Sequence, residues 1–145
     1  MNDLSVVVSR IFPAPRTKVF EAWLDPQVLA LFMQPCEGGP PATVTNDPVE
    51  GGDFEIIMRA DDKEIPHRGV YKEINRHSRL AFTWESPFSL PDSVVTLDFK
   101  DVADGTELTL THVKFPSEES RDGHEGGWKG ILAALMPVLA ESKAA

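Results

Sequence analysis

Two of the four histidines occupy positions where chemistry near neutral pH is conceivable. His112 shares one face of a predicted strand with Leu108 and Leu110. His124 recurs at helical spacing with Trp128 near the C-terminus. Two imidazoles beside an apolar space could orient a ligand or move a proton, whereas two core histidines would only bond to neighbouring carbonyls or carboxylates. The sequence leaves both interpretations open.

Large apolar side chains alternate with polar residues along the predicted strands, so they share one face of a sheet. They are Met58, Phe82, Trp84, Leu97 and Leu110. These side chains either line a ligand pocket or form a plain core at ordinary packing density. Tyr71 either presents its hydroxyl to such a pocket or only packs. The remaining histidines, His67 and His77, fall in or beside predicted loops, where we expect exposed rings.

Other catalytic and metal-binding arrangements find little support. The one cysteine, Cys36, lies in a Gly/Pro-rich segment with no histidine at an informative spacing, which argues against a thiol nucleophile. The sequence contains no His-x-x-x-His, no Cys-x-x-Cys and no acidic calcium loop. The glycine-rich segment 123–130 lacks the strand context of a phosphate-binding loop. We therefore assign no catalytic residue and predict neither a metal nor a cofactor.

Charge and hydropathy narrow the classes of partner. The net charge is -9 at pH 7, which opposes binding to nucleic acid or anionic lipid. No apolar run approaches the ~18 residues of a membrane helix, and the N-terminus shows no secretory signal pattern. One cysteine excludes an intrachain disulfide. We expect a cytoplasmic protein without nucleic-acid or membrane partners.

Period-two alternation predicts an antiparallel sheet of six to seven strands. The first strand, 4–12, ends at Pro13 because proline cannot donate to a ladder. Asp104-Gly105 favours a tight hairpin between the last two strands. Pro66 suggests an edge position or a bulge for its own strand. The later strands are predicted at 42–46, 53–59, 64–74, 79–85, 94–102 and 106–113.

Two short helices, at about 15–24 and 26–33, are predicted after the first strand. Asp25 can cap the second helix and Pro26 suits its first position. Strands joined in series form an antiparallel sheet, and its apolar face needs a cover, for which the C-terminal amphipathic segment is the large element left. The sequence therefore predicts an α+β fold in one domain spanning 1–145.

The last segment, 116–145, repeats apolar residues at helical spacing through Trp128 and Leu135. It forms either one helix kinked near Gly123 or a short turn followed by the main helix from Asp122. We prefer the second interpretation, because glycine is a poor residue for a helix interior. Asp122 would then be the cap of the helix.

Several motifs follow one another in an order typical of one protein family. They are Val19-Phe20-Glu21-Ala22-Trp23 with Asp25-Pro26, Gly51-Gly52-Asp53-Phe54, Gly69-Val70-Tyr71, Arg79-Leu80-Ala81-Phe82-Thr83-Trp84, Thr106-Glu107-Leu108-Thr109-Leu110-Thr111-His112 and Gly123-His124-Glu125-Gly126-Gly127-Trp128. This ordered set covers nearly the whole chain. It resembles the family named after the activator of the heat-shock-protein-ninety ATPase, within the START and pollen-allergen-like (SRPBCC) superfamily.

The resemblance implies a helix-grip fold, in which a curved sheet wraps around a long C-terminal helix and leaves a cavity between them. The superfamily includes lipid and hormone carriers, polyketide cyclases, oxygenase subunits and co-chaperones. We predict that the residues in contact with a ligand are Trp23, Phe32, Met58, Tyr71, Phe82, Trp84, Leu97, Leu110, His112, His124 and Trp128.

Three functions remain open. The first is non-catalytic binding of a small apolar or amphipathic ligand between sheet and helix, anchored by His112 and Tyr71. The second is a protein-interaction module that acts on a chaperone or another partner. The third is an enzyme, such as a cyclase or hydrolase, with His112 or His124 as its base. We favour the first and expect a monomer or a weak homodimer.

Overall fold

The computed structural model describes residues 5–33, 42–60, 63–75, 77–85, 93–113 and 117–141. Strand β1 (Ser5–Phe12) leads into helices α1 (Arg16–Ala22) and α2 (Pro26–Phe32). The elements that follow are β2 (Thr43–Asn46), β3 (Asp53–Ala60), β4 (Lys63–Asn75), β5 (Arg79–Thr83), β6 (Val94–Val102), β7 (Gly105–Val113) and α3 (Glu118–Glu141). The predicted loops at 34–41 and 86–92, with Cys36, lie outside the described residues.

Within these ranges the strands form one curved antiparallel sheet of seven strands, in the order β1-β7-β6-β5-β4-β3-β2. Apart from the pairing of β1 with β7, neighbours in the sheet are neighbours in the chain, as hairpin connections require. Helix α3 packs against β1 and α2. The predicted α+β class is confirmed, and so is the helix-grip fold that the resemblance implied.

Burial alternates along the central strands and places their apolar side chains on the inner face. On β6, Val95, Leu97 and Phe99 are buried between partly exposed neighbours, and on β7 Leu108 and Leu110 are buried. Helix α3 contributes the other half of this core through Trp128, Ile131, Leu132, Leu135 and Leu139. The core therefore joins the sheet to the helix, as the sequence pattern predicted.

The β6–β7 hairpin closes against the end of β1. Gly105 opens β7 with φ of 141°, and a Cβ there would lie 2.0 Å from the carbonyl oxygen of Phe12. The hydroxyl of Thr106 donates to the carbonyl of Ala14 at 2.8 Å and holds the chain after β1 in place. The predicted hairpin at Asp104-Gly105 is confirmed.

Helix α3 begins at Glu118, so our preferred start at Asp122 is wrong. The hydroxyl of Ser117 accepts from the backbone N–H of Ser120 at 3.1 Å, and two glutamates put negative charge in the first turn. The glycines at 123, 126 and 127 lie inside the helix on exposed positions. Burial of the stripe that begins at Trp128 outweighs their local cost of about 1 kcal/mol each.

Strand β4 lies inside the sheet, between β3 and β5, so the edge position suggested by Pro66 is wrong. Pro66 pairs with Ile57 of β3, and the register shift of β4 lies further along, between Tyr71 and Glu73. Among the described residues, the β4–β5 ladder begins at Tyr71, apart from a bridge at Arg68. The missing N–H of Pro66 therefore interrupts no rung of that ladder.

Candidate functional site

A small cavity lies between the inner face of the sheet and the end of α2. Its volume is about 10 Å³, which is room for about one water molecule. The strands supply one wall, formed by Phe54, Ile56, Tyr71, Phe82 and Trp84. The helical segment supplies the other wall, formed by Trp23, Leu29 and Met33.

Strand periodicity and one glycine bring the wall residues together. Phe54 and Ile56 are two residues apart on β3, and Tyr71 pairs directly with Phe82 across the β4–β5 ladder. Phe54 packs over Gly69, where a Cβ would lie 2.7 Å from Cζ of the phenyl ring and 2.0 Å from the carbonyl oxygen of Thr83. Glycine at 69 therefore makes room for the Phe54 ring at the cavity.

The aromatic rings of the wall contact one another. The ring centroids of Phe54 and Tyr71 are 5.3 Å apart, and those of Phe54 and Phe82 are also 5.3 Å apart with planes at 87°. Trp84 lies 6.2 Å from Phe82 and 4.9 Å from Trp128 of α3. Each such pair stabilises the fold by about 0.5–1.5 kcal/mol beyond its buried area. The apolar wall is therefore held in one arrangement without a ligand.

Tyr71 and Trp23 each add a polar group to the side chains that line this cavity. The phenol oxygen of Tyr71 accepts from Nδ2 of Asn46 at 3.0 Å, and the same amide donates to the carbonyl of Leu24 at 2.8 Å. Burial raises the pKa of Tyr71, so the hydroxyl stays protonated. The indole Nε1–H of Trp23 is buried and has no hydrogen-bond partner among the described residues.

His67 lies inside β4 and is only 7% exposed, so our expectation of an exposed ring in a loop is wrong. Its ring lies 4.8 Å from that of Trp84, and Nδ1–H donates to the carbonyl of Ile65 at 3.1 Å. Burial, with a smaller contribution from His124, lowers its pKa to about 4. His67 is therefore a neutral core residue behind the aromatic wall. His77 is half-buried and pairs with Glu21 at 3.1 Å.

His112 is fully buried and hydrogen-bonded through both ring nitrogens. The indole Nε1–H of Trp128 donates to Nδ1 at 3.0 Å. An indole can only donate, so Nδ1 carries no proton and Nε2–H faces the hydroxyl of Ser93 at 3.3 Å. That hydroxyl donates in turn to the carbonyl of Trp84. The network joins α3 to β7 and to the segment that leads into β6.

The environment of His112 keeps the imidazole neutral. Burial, with a smaller contribution from the neighbouring His124, lowers its pKa to about 3. The rings of His112 and His124 meet edge to face at 5.3 Å, and His124 Nδ1–H donates to the carbonyl of Ser120 at 2.8 Å. His112 could take a substrate proton only by giving up its bond from Trp128. Its geometry therefore fits a structural link between helix and sheet.

A larger open depression of about 560 Å³ lies at the β2–β4 side of the sheet. Its Arg68–Glu55 ion pair, at 3.4 Å, is formed by exposed side chains. Exposed pairs of this kind are solvated and contribute little. The residues that line it are Thr45, Asn46, Asp47, Asp53, Phe54, Glu55, Arg68, Gly69, Val70 and Glu85. We take the inner cavity as the candidate site, because a buried donor without a partner lines it.

A family model described as "Activator of Hsp90 ATPase homolog 1-like protein" matches residues 13–140. The chain belongs to this family. The resemblance carried by the ordered motifs is thereby confirmed. Family and fold together support a ligand-binding helix-grip protein in general. No curated protein shows a significant sequence match to this activator-homologue family member.

Three solved structures share its fold over nearly the full length. Protein NE0264 from Nitrosomonas europaea is 20% identical, with a TM-score of 0.81 and coverage of 98% of this chain and 97% of that chain. SA2116 from Staphylococcus aureus, described as of unknown function, is 17% identical, with a TM-score of 0.82 over 99% and 98%. ChR145 from Cytophaga hutchinsonii is 26% identical, with a TM-score of 0.75 and 100% coverage of both chains.

The residues predicted to contact a ligand fall into three places in this family member. Trp23, Tyr71, Phe82 and Trp84 line the inner cavity. The group formed by His112, His124 and Trp128 lies beyond Trp84, where α3 meets β7. The other predicted residues are buried in the core and are not among the side chains that line this cavity; they are Phe32, Met58, Leu97 and Leu110.

Four lining residues were not among those predicted. Phe54 and Ile56 alternate in phase with Met58, so the signal that selected Met58 applied to them as well. Leu29 and Met33 come from a helix that is apolar nearly all round, whose inward side the sequence does not mark.

Among the described residues, no helix is long and apolar enough to cross a membrane.

Proposed function

We propose that this family member binds a small, mostly apolar ligand in the inner cavity. The observation that carries the proposal is a cavity lined by buried side chains, of which five are aromatic and three are aliphatic or thioether. Ligand sites in proteins are typically concave and apolar, with few polar groups that fix orientation. The family and the fold support ligand binding in general.

Binding must enlarge the cavity, since about 10 Å³ admits about one water molecule. Met33 follows α2 and covers the cavity with an unbranched side chain that can change rotamer. Helix α2 has only seven residues, and the bond from the N–H of Ala42 to the carbonyl of Ala30, at 3.0 Å, ties it to the segment before β2. Only molecules in which the cavity has opened can bind the ligand, so their small population lowers the apparent affinity.

Titration with α-methylstyrene, an apolar aromatic hydrocarbon, tests the proposal. We expect the methyl resonance of Met33 to shift saturably, because a ring bound in the cavity changes the local ring current. The methyl resonance of Met136, which packs against the core elsewhere, is expected not to shift. NMR of the four methyl-labelled methionines measures both.

A cavity-filling variant provides the control. Ile56→Phe adds a ring to the cavity wall and should abolish the Met33 shift, while Val49→Phe on an exposed turn should leave it unchanged. Absence of a saturable shift, or equal shifts at all methionines, would contradict ligand binding at this cavity.

A second candidate function is activation of an Hsp90 ATPase, which the description of the matching family names. Val7 and Ile11 favour a protein contact, because they are 61% and 47% exposed on the outer side of edge strand β1. Edge strands offer unpaired backbone groups to a partner. We expect Val7→Lys to remove any stimulation of purified Hsp90 and Val49→Lys to retain it. An ATPase rate that the wild-type chain leaves unchanged would reject this candidate.

We also propose that the protein works in the cytoplasm. Support comes from the single cysteine, which cannot form an intrachain disulfide. The acidic charge of -9 supports a partner other than nucleic acid or anionic lipid.

A further inference from the structure

Within the part of the chain that the structure describes, the indole donor of Trp23 lacks the hydrogen-bond acceptor that the fold supplies to Trp128. Trp23 is 2% exposed, and its Nε1–H has no hydrogen-bond partner among the described residues. Trp128, equally buried, donates the same group to His112 at 3.0 Å. A buried donor without an acceptor destabilises a fold, and native structures rarely retain one without a reason. Trp23 lines the inner cavity, so a ligand there can supply the acceptor.

We propose that the ligand is a neutral, planar carbonyl compound whose oxygen accepts the hydrogen bond from Nε1 of Trp23. This inference rests on the proposed function and adds the ligand class to it. The carbonyl oxygen satisfies the Trp23 donor, and the rest of the ligand contacts the aromatic wall. Tyr71 Oη already accepts from Asn46 at 3.0 Å, so this hydroxyl can offer its proton to the same ligand.

The wall chemistry excludes a charged ligand. None of the eight lining side chains is ionised at neutral pH: they are apolar, except for the indoles of Trp23 and Trp84 and the phenol of Tyr71. A carboxylate or ammonium group in this cavity would lose its hydration without a counter-ion, which is far more costly than the burial of one carbonyl. A planar body suits the rings of Phe54 and Phe82, which line the cavity with their planes at 87°, because aromatic rings pack well in stacked or edge-to-face contacts.

The Phe32 ring is the competing acceptor for the Trp23 donor. The two rings meet edge to face, with centroids 5.0 Å apart and planes at 76°. A π face accepts an N–H only weakly. A ligand oxygen would therefore still improve the bonding of Trp23, and the experiment separates the two acceptors.

A matched pair of probes isolates the hydrogen bond. Acetophenone carries a carbonyl oxygen where α-methylstyrene carries a methylene group, and the two molecules are otherwise nearly equal in shape. We expect the dissociation constant of acetophenone, divided by that of α-methylstyrene, to be about tenfold higher in Trp23→Phe than in the wild type. The ratio cancels the different hydration of the two probes, which is the same for both proteins.

The wild-type protein gives a second readout that needs no variant. Its three tryptophans give three indole N–H resonances. Acetophenone should move the Trp23 proton downfield, and α-methylstyrene should not, while Trp128 keeps its bond to His112 and stays in place.

Each outcome has one meaning. If acetophenone moves the Trp23 proton and the ratio changes, the carbonyl assignment stands. If both probes bind and neither the ratio nor the Trp23 proton responds, Phe32 is a sufficient acceptor and this inference is overturned, while the proposed ligand site survives. If neither probe binds, the proposed function fails and the carbonyl assignment fails with it.

Discussion

Acidification from about pH 7.5 to about pH 5 is expected to lower the free energy of unfolding by about 4 kcal/mol. Burial holds His67 and His112 neutral in the fold, with pKa values of about 4 and about 3 against 6.5 for an ordinary histidine. Between pH 6.5 and about 4, the unfolded chain therefore binds more protons than the folded chain. The stabilisation is complete above pH 6.5 and is lost as the pH falls, by about 2 kcal/mol for each histidine at pH 5.

Urea unfolding at a series of pH values measures this loss. His67→Asn keeps a donor near the carbonyl of Ile65 but cannot titrate, so the slope of stability against pH should fall to about half. The range above pH 5 leaves ordinary carboxylates, with pKa values of about 4, largely ionised. An unchanged slope in His67→Asn would mean that His67 does not contribute to the acid sensitivity.

The sequence predicted the sheet better than the position of individual rings. Burial alternates regularly along the strand that ends at Val113, because this strand has one face on the core and one outside. The burial of His67 was missed, although it lies in the strand predicted at 64–74, because Pro66 precedes it and proline normally argues against a central strand. Here the proline lies on a part of β4 where the missing N–H interrupts no rung toward β5.

Local helix propensity predicted the wrong first residue for α3. The glycines between Asp122 and Trp128 lower the intrinsic helix preference of this segment. The helix nevertheless extends back to Glu118, since the buried stripe further along fixes the helix axis and Ser117 caps its start. Burial of this kind depends on contacts between distant elements, so a short stretch of sequence does not predict it.

The candidate site could be predicted in part. Strand period assigned Trp84 and Phe82 to one inner face, and Tyr71 was among the predicted ligand contacts. All three line the cavity. The pairing of Trp128 with His112 joins a helix to a strand across 16 residues, and no sequence period predicts which nitrogen meets which ring. The unpaired donor of Trp23 is visible only when all of its surroundings are known.

The hydrogen bond between Trp128 and His112 is expected to make these two residues energetically coupled. His112→Leu keeps an apolar side chain in the site but leaves the buried Nε1–H of Trp128 without its acceptor, at a cost of about 3 kcal/mol. Trp128→Phe removes the donor to Nδ1 of His112, at a cost of about 2–3 kcal/mol. In the double variant neither partner is left unpaired.

A double-mutant cycle measures the coupling. The double variant should lose less stability than the sum of the single variants, by about 1–2 kcal/mol. His112→Leu combined with Leu139→Ala is the matched control, because Leu139 lies 11 residues beyond Trp128 on α3, about 16 Å along the helix axis. Effects at such a distance should add. Urea unfolding at about pH 7.5 keeps His112 neutral throughout.

Additivity at His112 and Trp128 would contradict the structural role of this histidine. Coupling would instead mean that the imidazole holds α3 against the sheet. The same network reaches the carbonyl of Trp84 through Ser93, and the Trp84 ring lies 4.9 Å from that of Trp128. Loss of the link should therefore loosen one wall of the cavity, and His112→Leu should weaken α-methylstyrene binding although His112 does not line the site. That combination distinguishes a positioning residue from a ligand contact.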